Sequence, residues 1–123
     1  MAIEISGVDT KKGLALFEDD LDTYVDILRS YVSNVPATLD KIRNVSEETL
    51  KDYAVGVHGV KGVSEAIGAE EARKTAKQLE EMAKNGDLAG VLARNNAFIK
   101  YTENLVNDIR TWLEKYDGGE LRR

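Results

Sequence analysis

Apolar residues along this chain recur at intervals of three and four almost from end to end, the period of a helix that turns one face toward a core. The longest early series is Leu21, Tyr24, Leu28, Tyr31, Val32, Val35, Leu39 and Ile42. It predicts a helix that continues through Pro36, with a bend near Asn34 rather than a break. Ahead of it, Asp9 suits the N-cap of a short helix presenting Leu14 and Phe17, and the acidic run Glu18, Asp19, Asp20 suits the positive N-terminal end of the longer one. Ser46, followed by Glu47 and Glu48, predicts a third helix that runs to about Ile67 and is stopped by Gly68. A fourth is expected from about Ala69 to Lys84, with Ala72, Thr75, Ala76, Leu79, Met82 and Ala83 along one face. Asn85-Gly86-Asp87 then reads as a left-handed C-terminal cap and a new N-cap. The last helix is long, with Leu88, Val91, Leu92, Phe98, Thr102, Leu105, Ile109, Trp112, Leu113 and Tyr116 on its inner stripe.

No stretch alternates in the manner of a strand bounded by turn residues. Ile3, Ile5 and Val8 are expected as an extended lead-in packed against the end of the helices. The fold class is therefore all-α: an antiparallel four-helix bundle with a short additional N-terminal helix, spanning residues 1–117, followed by a flexible tail over 118–123. A chain of 123 residues fits a single core.

Composition narrows the function classes. With no cysteine, disulfides, thiolate metal sites and cysteine nucleophiles are all excluded. A net charge of −5 argues against nucleic acid or an anionic membrane as the main partner, since both call for clustered Lys and Arg. No apolar run approaches the roughly 20 residues of a membrane span, and the N-terminus lacks the basic-then-apolar order of a signal peptide. A cytoplasmic setting is expected, as is a monomer, because the apolar stripes are used up inside the bundle.

Chemistry concentrates in "HGVKGVSEAIG", residues 58–68, which holds the one histidine of the chain. On a helical wheel at about 100° per residue, Tyr53, Val57, Val60, Val63 and Ile67 form an apolar arc nearly opposite His58. The imidazole is therefore expected to face outward, among Lys51, Ala54, Val55, Gly59, Lys61, Gly62, Glu65 and Ala66. Each glycine inside a helix costs roughly 0.5 to 1 kcal/mol relative to alanine, so Gly56, Gly59 and Gly62 need a reason. Gly56 lies on the apolar arc, where a close helix crossing accounts for it. Gly62, four residues after His58, and Gly59 beside it leave the approach to the ring clear. Lys61, three residues after His58, places a cation within reach of an anion attached to the ring. An exposed neutral imidazole is a competent nucleophile near neutral pH, and this arrangement suits its phosphorylation. The other Asp and Glu residues read as scattered over outer faces and helix starts. No phosphate-cradling glycine loop, metal cluster or second histidine accompanies the site, so a partner must supply the remaining machinery.

"HGVKG" with Gly68 resembles the H-x-x-K-G-x-x-x-x-x-G signature of histidine-containing phosphotransfer (HPt) domains of bacterial multistep phosphorelays and hybrid sensor kinases. The likeness extends to "GLALFEDDLDTYVDILRSYV", residues 13–32, and "IGAEEARKTAKQLEEMAKNGD", residues 67–87. It implies that His58 is phosphorylated, that Lys61 assists the phosphoryl group and that Gly62 leaves room for it. Ala54, Val55, Gly59, Glu65 and Ala66 become the expected partner-binding surface. The partner implied is a response-regulator receiver domain or a hybrid histidine kinase, with Mg²⁺ on the receiver and no cofactor or metal in this chain. The chain departs from the usual pattern at Val57, where alanine is common, and at Gly59, where a small hydroxyl residue is common. The resemblance makes the chain a phosphocarrier rather than an autonomous enzyme. Two alternatives are a non-catalytic helical adaptor using the same face and the phosphotransfer domain of a chemotaxis-type kinase.

Overall fold

Short polar side chains set where three of the helices begin. A computed structural model describes residues 3–119 and contains α1 (Thr10–Leu16), α2 (Leu21–Lys41), α3 (Leu50–Ile67), α4 (Glu70–Lys84) and α5 (Leu88–Asp117), in that order. Asp9, Asp20 and Asp87 each accept a hydrogen bond from a backbone N–H in the first turn of α1, α2 and α5, satisfying donors that have no partner inside the helix. Glu18 and Asp19 do not join the start of α2. Both sit in the left-handed region, at φ 56° and 59°, and turn the chain so that the Asp19 N–H donates to the Leu14 carbonyl at 2.9 Å. Only Asp20 of that acidic run is a cap. α2 passes through Pro36 without interruption.

The third helix starts three residues later than its sequence suggests, with Thr49 rather than Ser46 at the N-cap position. Ser46 forms a tight turn with Thr49: its N–H donates to Thr49 Oγ1 at 2.9 Å, and the Thr49 N–H donates back to the Ser46 carbonyl at 3.2 Å. Local side-chain hydrogen bonding of this kind competes with helix formation. Helix α3 accordingly opens at Leu50, which is buried.

Each of α2 to α5 packs against its neighbours in sequence, and α5 returns against α2, closing a ring of four. Cross-helix bonds fix the antiparallel sense. Tyr24 near the start of α2 donates to the Ile67 carbonyl at the end of α3 (2.8 Å), and Tyr31 pairs with Ser64 (2.9 Å). Arg29 early in α2 meets Asp117 at the end of α5 through two hydrogen bonds. At the other end, Asn95 of α5 donates to the Ile42 carbonyl (2.7 Å) and accepts from Tyr53 (2.8 Å), so a buried amide ties α2, α3 and α5 together. The expected all-α bundle with an added N-terminal helix is what forms. Among the described residues there is no strand, only an isolated bridge between Ile5 and Val8, and Ile3 and Ile5 are buried against the core as an extended lead-in. Residues 1–2 and 120–123, including most of the expected tail, lie outside the described residues. No helix among the described residues is long and apolar enough to cross a membrane.

Two stripes are rotated from their expected positions. Val63 is exposed, and Ser64 takes the inward place because its hydroxyl is satisfied by Tyr31. Leu92 is likewise exposed; the buried stripe of α5 runs through Val91, Asn95, Phe98 and Ile99 instead, with Asn95 inward because it serves the Ile42 carbonyl.

Helix α3 ends at Gly68, whose φ of 83° is left-handed, and α1 lies across this end. The Asp9 N–H donates to the Gly68 carbonyl at 2.8 Å, and a Cβ on Gly68 would collide with the Asp9 carbonyl oxygen. Gly13 is equally constrained, since its Cβ would stand 2.5 Å from the Ile67 carbonyl oxygen. Gly68→Ala is expected to lose about 2 kcal/mol or more of stability, from the left-handed backbone together with the clash, read as a lower midpoint in urea unfolding.

Candidate functional site

His58 occupies the middle of α3, and buried Val57 and Val60 anchor the backbone beneath it. The imidazole points outward, its side chain 63% exposed. It is not alone in water. Its Nδ1 lies 2.8 Å from Oε2 of Glu80, a carboxylate on α4 whose side chain is only 5% exposed. Small residues bring it there: Ala72, Ala76 and Ala83 line the buried face of α4 and let it approach α3 closely. Glu80, four residues after Ala76, emerges on the same stripe.

Three groups converge on that carboxylate. Lys61 Nζ donates to Oε1 at 2.7 Å, Lys84 Nζ forms an ion pair with Oε2 at 3.0 Å, and the ring occupies Oε2 as well. The Lys61 hydrogen bond, with further help from Lys84 and His58, holds the Glu80 carboxyl down to about 2 despite the opposing effect of burial. An ionised carboxylate has no proton to give, so the ring must donate from Nδ1–H. In the neutral form of the ring this contact places the proton on Nδ1 and the lone pair on Nε2, the nitrogen left to solvent.

The remaining expected residues are distributed unevenly around the ring. Lys61 is half-buried and turned toward Glu80. Gly59, Gly62, Val55 and Glu65 are exposed, and Ala66 is partly covered. Ala54 is a correction: expected on the outer surface, it is buried against α4, where it floors a groove of about 690 Å³ walled by Leu50, Lys51, Val55, His58 and Lys84. The three helix glycines divide as their positions imply. A Cβ on Gly56 would meet Ile42 Cγ2 at 2.6 Å, a close crossing with α2, whereas a Cβ on Gly59 or Gly62 would meet nothing within 4 Å. Internal packing requires glycine at the first and not at the other two.

Glu80 is the residue the sequence reading passed over. Placed with the outward acids, it is buried, and its one local signal was its position four residues beyond Ala76 on the apolar stripe of α4. Among the described residues no cluster of three or more His, Cys, Asp and Glu side chains could hold a metal ion.

The structure is thus a helical bundle that presents one oriented, exposed imidazole on the face of α3. The family model described as Hpt domain matches residues 13–112, and the chain belongs to that family. Hpt domains are histidine phosphocarriers of two-component signalling and interact with response-regulator receivers. No curated protein and no solved structure matches the chain.

Two measurements test this geometry. Gly59→Ala and Gly62→Ala should each raise stability by about 0.5 to 1 kcal/mol, since alanine favours the helix and meets no neighbour, visible as a higher urea midpoint. For Glu80 the folded value lies below the ordinary 4.5, so the unfolded chain takes up the proton first as pH falls. Its contribution to stability is complete above about pH 4.5 and is lost between there and about pH 2. Urea midpoints followed across that window should fall more steeply for the native chain than for Glu80→Gln.

Proposed function

We propose that Nε2 of His58 accepts a phosphoryl group from the aspartyl phosphate of a response-regulator receiver domain and returns it to such a domain. The reading is carried by one observation: an exposed ring whose Nδ1 is bound at 2.8 Å to an ionised, buried carboxylate, which leaves Nε2 as the nucleophile.

The step balances without moving a proton. The Nε2 lone pair attacks phosphorus in line with the bond to the receiver's aspartate oxygen. That bond breaks, and the carboxylate leaves with its electron pair. Nδ1 keeps its hydrogen, so the ring becomes positively charged as the N–P bond forms, and the charge develops opposite Glu80. Stabilisation aimed at charge that appears during reaction lowers the barrier more than stabilisation of the resting state. Such transfer depends on positioning and charge more than on acid–base chemistry, so this chain needs only a rigid, correctly protonated ring and an open approach. The receiver brings its own Mg²⁺. Gly59 and Gly62 keep the approach to Nε2 open, and exposed Val55 offers an apolar contact beside it.

Incubation with receiver domains charged by labelled acetyl phosphate tests the assignment. Label should appear on the native chain and be absent from His58→Gln. Equal labelling of the variant would move the site elsewhere, and no labelling of either chain across many receivers would favour an adaptor that binds through this face without chemistry.

A further inference from the structure

The two lysines at Glu80 are not equivalent. Lys61 Nζ makes the shorter contact, to Oε1 at 2.7 Å, with its side chain 26% exposed; Lys84 Nζ makes the longer, to Oε2 at 3.0 Å, with its side chain 64% exposed. Lys84 and the ring share that one oxygen, so the ammonium stands no farther from Nδ1 than the two contacts laid end to end. The lysines also approach from opposite directions. α4 runs antiparallel to α3, so Lys84, one turn beyond Glu80, lies toward the N-terminal half of α3, whereas Lys61 lies toward its C-terminal half. Lys84 walls the groove beside the ring together with Lys51, and Lys61 does not.

We propose that Lys84 is an exchange cation, leaving Glu80 to pair with the phosphoryl group on His58, while Lys61 stays on Glu80 as a positioning residue. The proposal rests on the reading of His58 as the phosphorylated residue and moves to Lys84 the phosphoryl contact that the family resemblance led one to expect of Lys61. Charge conservation is its physical basis. In the reactive form, where Nε2 keeps its lone pair, Glu80 Oε2 faces a neutral ring and the Lys84 ammonium. After transfer the ring itself is cationic and still donates Nδ1–H to Oε2, so it replaces the positive charge that Lys84 supplied. Lys84 is then free to neutralise an anion that was absent before, along a groove already open to it. Lys61 has no such substitute: withdrawing it would strip Oε1 of its donor and leave a buried carboxylate half-paired, the more costly exchange.

Phosphoramidate, which transfers a phosphoryl group to imidazole nitrogen with loss of ammonia, tests the division without a receiver. The native chain, Lys84→Gln, Lys84→Arg and Lys61→Gln are labelled with it and followed by ³¹P NMR, while ¹⁵N NMR of the imidazole reports the resting tautomer. Lys84→Gln should leave the Nδ1–H tautomer intact and slow labelling about tenfold, the scale of one charge-assisted hydrogen bond, with Lys84→Arg restoring most of the rate. Lys61→Gln should shift the ring away from the single Nδ1–H tautomer. Native-rate labelling of Lys84→Gln would overturn the proposal, as would a Lys61→Gln chain labelled slowly with its tautomer unchanged. Labelling of His58 by phosphoramidate but by no charged receiver would instead overturn the functional reading and leave the division of labour standing. A native chain not labelled at His58 would overturn both.

Discussion

A carboxylate buried between two helices governs everything chemical about this protein. Glu80 has almost no access to water, and a charge in that position is tolerated only when donors surround it. Lys61 and the Nδ1–H of His58 are those donors, and Lys84 adds a second ammonium in ion-pair contact. The requirement runs both ways. The carboxylate stays ionised because the cations are present, and the ring is held in one tautomer because the carboxylate is ionised. Helix packing, protonation and nucleophile orientation are thus one problem with one solution, located at the contact between α3 and α4.

The ring consequently has two unlike flanks. Toward α4 lie the carboxylate and its cations, which fix the imidazole and receive the charge it acquires. Along α3 itself lie Gly59 and Gly62, with no atom within reach of an added Cβ, and the exposed apolar side chains of Val55 and Val63. One flank sets reactivity and the other leaves room for a docking surface. A helix supports this division well because residues three and four apart share a face, so a bare approach and a polar clamp can flank the same side chain. Rigidity comes from below, where Val57 and Val60 are buried and where Tyr53 and Ser64, on either side of the ring, are bonded to Asn95 and Tyr31.

Local signals that involve only neighbouring residues were legible in the chain. The three-and-four period located the helices, Asp9 and Asp87 capped them as expected, and Gly68 ended α3 in the left-handed conformation its position demanded. The failures share a different cause. Ser46 did not cap because Thr49 offered its side chain a competing partner. Val63 and Leu92 fit the inward stripes by period and hydrophobicity alone, whereas Ser64 and Asn95 are inward because partners on other helices satisfy their polar atoms.

By itself the sequence determined the class of fold, the outward direction of His58 and the bareness of the helix around it, since each follows from periodicity along a single helix. Which ring nitrogen reacts was decided only by tertiary structure. That depends on Glu80, which lies 22 residues away along the chain and reaches Nδ1 across a helix contact. The closeness of that contact comes from three alanines on α4 packing against α3, and its electrostatic effect from the exclusion of water, a property that no isolated segment of the chain possesses.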